Sequence, residues 1–365
     1  MKISIIGPAY PLRGGISHHI FWLRKDLIAR SYTVQVVSFR KLYPRLFFPG
    51  TSELDTSDLK LDAGAVSILT PLNPATWLSA FRQIRAFSPD WVIFEWWQPF
   101  FGPLVGTLAR WLRRTGVRCI IECHNVFPHE RSPLDGMLLR YGISAADYLI
   151  AHSAKDQADL ISLFPRKQIT VAPLPELDEF LAQSNSSRSG RTILFFGKVR
   201  KYKGLEVLLA AMPAVLSKLD CKLVIVGEFY DSIEKYEQLI RRHGIESQVQ
   251  IDNRYVPNEE VPAVFERAAV LVLPYVSASQ SGVARIALSN NLPVIASRTG
   301  GLSETVIDGL NGLLFPPGDS DALAKQVVRY FVENLGPTFS ENIRKTRQKD
   351  AHRQLGDVIE EICRS

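Results

Sequence analysis

KISIIGPAYPLRGGISHHIFWLRKDLIARSYTVQVVSF, residues 2–39, decides the fold. Lys2 to Ile6 is a short apolar run with no polar alternation, the mark of a strand buried on both faces. Gly7 to Gly15 carries prolines and a glycine pair and reads as a loop. Ile16 to Arg30 has helical spacing of its apolar residues, and Thr33 to Phe39 returns to a β-branched run. A buried strand, a glycine loop, a helix and a second strand make up one parallel β-α-β unit.

The same alternation continues outward. Strands are expected at Trp91 to Glu95, Cys119 to Cys123 and Asp147 to Ala151, each leading into a loop and then a helix. LAQSNSSRSG, residues 181–190, interrupts it with the composition of a linker. Beyond it the alternation restarts with strands at Thr192 to Phe196, Lys222 to Val226, Leu271 to Pro274, Pro293 to Ala296 and Gly312 to Phe315, and a helix at Leu205 to Leu216. The expected architecture is α/β, with two Rossmann-like domains facing each other across a cleft. The first spans 1–180, the linker 181–190 and the second 191–335. Residues 336–365 form a helical segment that crosses back to the first domain, set off by Gly336 and Pro337. In open α/β sheets, loops at the carboxyl ends of the strands hold ligands.

At 365 residues, with 46% hydrophobic and 22% charged side chains, the chain has ordinary globular composition and length for two domains. The net charge of +6 suits acidic small molecules or an anionic lipid surface. No basic cluster is interleaved with aromatics, so nucleic acid is not expected as a partner. Cys119, Cys123, Cys221 and Cys363 have neither CxxC spacing nor the density of a disulfide scaffold, and reduced thiols in a cytoplasmic protein are expected. The apolar run before Gly7 is too short for a leader or a membrane span, so any membrane contact is peripheral, at the inner face.

Five loops carry candidate chemistry. FFGKVRKYKG, Phe195 to Gly204, ends a strand at Gly197 and starts a helix after Gly204, with Lys198, Arg200, Lys201 and Lys203 between. Cations above a helix N-terminus suit a diphosphate. The order GxxxxGK[ST] is absent, so ATP hydrolysis is not indicated. LPYVSASQSGVARIAL, Leu273 to Leu288, offers a second helix start at Ser281, Gly282 and Val283, where Ser279 and Ser281 also serve as helix caps. In PVIASRTGGLSETVIDGLNGLLFPPGD, Pro293 to Asp319, Glu304 falls in the first turn after Gly300 and Gly301. PLRGGISHHI, Pro11 to Ile20, brings Gly14 and Gly15 to a strand-to-helix turn that a ligand can approach closely. HNVFPHE, His124 to Glu130, puts two histidines and a carboxylate after a strand, but lacks the HExxH spacing of a zinc helix.

In their order and spacing these landmarks, with YVPNEEVPAVF from Tyr255, resemble the retaining nucleotide-sugar glycosyltransferases of family four, which have the GT-B fold. The resemblance spans most of the chain. It implies a nucleotide-diphosphate sugar held by the second domain, its diphosphate facing Lys198, Arg200, Lys203 and the helix start at Ser281 to Val283. Gly14 and Gly15 approach from the first domain, and Glu304 is a further donor-side residue. His124 and Lys203 are implied as catalytic, His124 beside the transferred sugar and Lys203 on the leaving diphosphate. No metal is implied, and the nucleotide sugar is a co-substrate in place of a cofactor. The resemblance fails at two glutamates that many members carry. Their positions here are Ala278 and Ile286, so sugar and ribose contacts must differ, with Ser279 or Gln280 as substitutes. Lys198 replaces the usual arginine and keeps the charge without the bidentate fork.

The expected partners are therefore a nucleotide-sugar donor and a saccharide or lipid-linked acceptor, a glycolipid or polysaccharide precursor. FEWWQPFFGPL, Phe94 to Leu104, supplies Trp96 and Trp97 as acceptor-side or core residues. GTLARWLRRTG, Gly106 to Gly116, is either a membrane-surface helix through Arg110, Arg113 and Arg114 or a helix packed on a sheet. Closure of the two domains on the donor would keep the activated sugar from water. Two other readings stay open, an inactive nucleotide-sugar-binding scaffold of the same fold and a sugar-nucleotide epimerase. A dehydrogenase is disfavoured because GPAYPLRGG stands where GxGxxG would be.

Overall fold

A computed structural model describes residues 1–43, 52–127, 132–174, 180–181, 190–349 and 354–365. The described residues divide into two units, one drawn from Met1–Thr56, Lys60–Pro175 and Arg353–Ser365, the other from Ser57–Leu59 and Glu176–His352.

The first unit runs β1 (Lys2–Ile6), α1 (Gly15–Ala29), β2 (Thr33–Phe39), β3 (Val66–Leu69), α2 (Pro74–Phe87), β4 (Trp91–Trp96), α3 (Gly102–Arg113), β5 (Arg118–Cys123), α4 (Asp135–Ile143), β6 (Tyr148–Ala151), α5 (Ala154–Leu163) and β7 (Gln168–Val171). Its strands form one parallel sheet in the order β3-β2-β1-β4-β5-β6-β7. Strand order reverses between β1 and β4, and a crevice opens at the carboxyl ends of such neighbours. The apolar runs explain the layering. Ile3, Ile5 and Ile93 pack on α1 while Ile6, Val92 and Phe94 face the opposite helices, so each strand is buried on both sides.

The second unit runs β8 (Thr192–Phe196), α6 (Leu205–Leu216), β9 (Lys222–Val226), α7 (Ile233–His243), β10 (Val249–Asp252), α8 (Val261–Glu266), β11 (Val270–Leu273), α9 (Gly282–Ser289), β12 (Val294–Ser297), α10 (Leu302–Thr305), β13 (Gly312–Phe315), α11 (Ser320–Val332) and α12 (Leu335–Lys349). Its parallel sheet has the order β10-β9-β8-β11-β12-β13, with the reversal between β8 and β11. Gly336 and Pro337 fall in the first turn of α12, where a proline's missing N–H costs nothing.

The last helix, α13 (Leu355–Arg364), belongs to the first unit. Leu355, Val358, Ile359 and Ile362 enter the core shared by α1 and the sheet. Arg30, after α1, donates to Asp357 at 2.6 Å and Glu360 at 3.3 Å. Among the described residues no helix is long and apolar enough to cross a membrane.

Candidate active site

In the second unit the expected donor residues converge at the carboxyl ends of β8, β11 and β12. Lys203 sits in a single 3-10 turn ahead of α6 and is buried, with 7% exposure. Burial pushes its ammonium below the usual lysine range, outweighing the opposing influence of Tyr202, and Arg200 lowers it a little further. Among the described residues no carboxylate pairs with it. A Cβ added at Gly197 would lie 3.0 Å from Lys203 Nζ and 3.4 Å from Val283 Cγ2, so the ammonium and the start of α9 meet above the end of β8. Lys198 and Arg200 lie over the ring of Tyr230, at 5.4 and 4.8 Å from its centroid.

This turn is fixed to its neighbour by backbone. Gly204 has φ of 67° and its Cβ position lies 2.0 Å from the carbonyl oxygen of Pro274, so only glycine fits. Val276 N donates to Tyr202 O at 2.8 Å. Ser281 caps α9 by accepting from Ala284 N at 3.2 Å, while Gly282 remains exposed. Ser281 thus performs the capping role its residue type favours, and the helix still presents free N–H groups at its first turn.

Ala278 and Ile286 are buried and apolar, so neither position offers a polar side chain. The intervening turn packs on the glycine pair. A Cβ at Gly300 would overlap Ala278 O at 1.6 Å, and Gly301 N donates to Ser279 O at 2.7 Å. The Gln280 amide lies against Gly301, and its Oε1 accepts from Thr305 Oγ1 at 3.4 Å. Gln280 is thus held between the end of β11 and the start of α10. Glu304 is exposed in the first turn of α10.

In the first unit, Gly14 and Gly15 begin α1, and the space above both is open, with no atom within 4 Å of either Cβ position. His124 follows β5. It joins a buried group that the sequence reading missed: His19 on α1, Glu95 on β4, Glu122 on β5 and His152 after β6. Glu95 and Glu122 occupy partnered positions on adjacent strands and are 1% and 0% exposed. Gly7 makes room for them, because a Cβ there would lie 2.6 Å from Glu95 Cγ. His19 Nε2 and His152 Nε2 lie 2.8 and 2.9 Å from Glu122 Oε1, and His124 Nε2 lies 2.5 Å from Glu95 Oε2.

Burial alone would raise the Glu122 carboxyl, but the two histidines outweigh it and hold it well below the usual range. Burial raises Glu95 well above that range, and the Glu122 charge adds to it. His124 is pushed well below the usual imidazole range by burial and by His19 and His152. The ligand-type atoms of His19, Glu95, Glu122 and His124 lie within 4.8 Å of one another. The contacts of 2.5 and 2.8 Å are hydrogen-bond lengths, shorter than the edge of about 3.3 Å expected for a tetrahedron of ligands around zinc. The group is built as a proton-sharing network and fits a metal poorly. The sequence held one clue, a glutamate near the end of each of two apolar strands, WVIFEW and RCIIEC. His129 and Glu130, the other members of the expected loop cluster, lie outside the described residues.

On the expected acceptor side, Trp96 is fully buried against Gly142 and is core, whereas Trp97 is half-buried and donates through Nε1 to Tyr43 Oη at 3.1 Å. Arg110 donates to Gly106 O and Ser144 Oγ and covers Tyr141, and Arg113 pairs with Asp147 at 2.8 Å. Two of the three arginines on that helix are thus engaged within the unit.

Comparisons with known proteins bear on the family and the fold. Residues 14–175 match the model of the glycosyl transferase 4-like domain, and residues 190–332 match that of the glycosyl transferases group 1. A D-inositol 3-phosphate glycosyltransferase of Corynebacterium diphtheriae is 30% identical over 193 residues, covering 47% of this chain and 45% of that protein. The chain spans about half the length of the curated relatives it matches. Among solved structures, sucrose-phosphate synthase from Thermosynechococcus elongatus superposes with a TM-score of 0.76 at 20% identity, covering 95% of this chain and 94% of that one. HepE of Anabaena, solved in complex with UDP-glucose, gives 0.72 at 16% identity over 96% and 95%. The fold is GT-B, with two parallel-sheet Rossmann-like domains, and with both halves matched the chain belongs to the group 1, family-four-like glycosyltransferases.

Proposed function

We propose that the protein transfers a sugar from a nucleotide-diphosphate sugar to a saccharide or lipid-linked acceptor, with retention of anomeric configuration and without a metal. The observation that carries this reading is Lys203, a buried cation with no carboxylate partner among the described residues, set beside Val283 at the start of α9. Transfer breaks the bond between the anomeric carbon and the phosphate oxygen, and the electron pair leaves on the diphosphate. A preorganised ammonium and helix N-terminus stabilise that charge as it grows, with Arg200 and Lys198 adjacent. Because protein cations supply the positive charge, chelation should leave turnover unchanged, and loss of turnover in EDTA would overturn the metal-free assignment.

HepE is a GT-B protein whose complex contains UDP-glucose, which supports a nucleotide sugar as the ligand class here. In this reading Gly14 and Gly15 let the donor approach the first domain, His124 hydrogen-bonds near the transferred sugar, and Glu304 and Gln280 take hydroxyl contacts in place of the absent glutamates. The work site is the cytoplasm, with the acceptor presented in solution or at the inner face of a membrane. The first test is a thermal-shift screen against UDP, GDP, ADP, CMP and their sugar conjugates, because a ligand that binds only the native state raises its melting temperature. A shift with one diphosphate base fixes the donor class. No shift with any of them contradicts donor binding by this chain. Ala278 and Ile286 favour one second reading, a nucleotide-sugar-binding scaffold, which predicts a thermal shift without release of nucleotide diphosphate.

A further inference from the structure

The buried carboxylates beneath His124 lie side by side on β4 and β5, and two such groups out of water cannot both be charged. The placing of the histidines decides which one is. His152 Nδ1 is 2.9 Å from the carbonyl oxygen of Ala172, which only accepts, so that nitrogen bears a proton. Its Nε2 meets Glu122 Oε1 at 2.9 Å, the same oxygen that His19 Nε2 approaches at 2.8 Å. Two imidazole nitrogens within 2.9 Å of one oxygen favour the carboxylate form of Glu122.

Glu95 then has the opposite state. Where Glu122 has two ring nitrogens within 2.9 Å, Glu95 has one, and its next is His19 Nε2 at 4.0 Å, so charge is less supported there. Its Oε2 touches His124 Nε2 at 2.5 Å. His124 is itself buried, and the rings of His19 and His152 lie with centroids 4.8 and 5.1 Å from its own, so an imidazolium there is disfavoured. The remaining arrangement is a carboxylic acid donating O–H to a neutral ring nitrogen. The His124 side chain is 11% exposed, against 5% or less for the other four members of the group, so it is the member that meets solvent at the strand ends.

We infer that Glu95 is a positioning residue for His124, a buried neutral acid whose proton lies toward Nε2 and fixes the imidazole in the tautomer that carries its proton on Nδ1. His124 then presents an N–H donor, and only that, to whatever binds at the strand ends; such a donor suits a hydroxyl or ring oxygen of a sugar. This rests on the reading of His124 as the residue beside the transferred sugar. The titratable groups facing the pair are His19 from α1, Glu122 and Cys123 from β5 and His152 after β6, with Asp156 of α5 behind Cys123.

The test uses the full chain labelled with 15N in its imidazole rings, read by long-range 1H–15N spectra at pH 7 without ligand. In the unsubstituted protein His124 should be neutral with its proton on Nδ1. Glu95→Gln should keep that tautomer, since the carboxamide N–H donates to the same nitrogen, and Glu95→Leu should cut its population by roughly half or more, toward the Nε2–H form. Infrared spectra give a second measurement in case the leucine variant does not fold: a buried protonated carboxyl band present in the unsubstituted chain and absent from Glu95→Gln. An imidazolium or Nε2–H His124 at pH 7, an unchanged tautomer in a folded Glu95→Leu, or no such infrared band each overturns the inference. None of these measurements requires turnover, so a protein that transfers no sugar would refute the proposed function and leave the Glu95 result standing.

Discussion

Single side chains set the strongest expectations. Lys203→Ala removes the one buried cation of its loop while leaving a small apolar residue in its place, so turnover should fall about 10²- to 10³-fold with the far-ultraviolet spectrum unchanged. Near-normal steady-state turnover in that variant would refute its role. The two buried glutamates should respond in opposite ways. Glu122 has a depressed pKa when folded, so its contribution to stability is present above the unfolded value near pH 4.3 and is lost as pH falls through the lower folded value. Glu122→Gln removes the buried carboxylate that two imidazole nitrogens approach within 2.9 Å and should cost about 3–5 kcal/mol at pH 7 by urea denaturation. Glu95 has a raised pKa, so the folded state retains a proton that the unfolded state gives up, and stability declines as pH rises above about 4.3. Glu95→Gln removes that decline. Melting temperatures from pH 5 to 8 should fall less steeply for it than for the unsubstituted protein, and parallel slopes would contradict a neutral Glu95.

Turns and strands show where reading a sequence succeeds. The strands β1, β2, β4, β5, β8 and β9 were visible because they are buried over most of their length, which leaves mostly apolar runs. VSIL, QITV and VQID, which form β3, β7 and β10, are edge strands of four residues each with half-exposed faces, and no run marks them. The loops around Lys203, Ser281 and His124 were legible from their cations, small residues and place after a strand. His19, Glu95 and His152 were not, because a buried charge is recognised only once strand order shows what lies beside it. The turn before α6 offers a sharp test of how one element positions another. Gly204→Ala forces a Cβ into the Pro274 carbonyl and strains a positive φ, so the second unit should lose about 1–3 kcal/mol and nucleotide-dependent thermal shifts should shrink. Unaltered shifts would show that the contact between the two loops does not support binding.

At the level of the molecule, family models cover residues 14–175 and 190–332, whereas α13 lies beyond both and still completes the first unit. Removing residues 354–365 takes away Leu355, Val358, Ile359 and Ile362, each worth about 1.5–3 kcal/mol when buried, and breaks the Arg30 pairs. Calorimetry should then show the transition of the first unit lowered and that of the second little changed; identical scans would refute the assignment of α13. The return of α13 also sets an order of events during translation. The first unit lacks its closing helix until the whole second unit has been made, a delay on the order of 10–30 s at ribosomal speeds of roughly 5–20 residues per second. Until α13 docks, the apolar face of α1 in the nascent first unit stays uncovered.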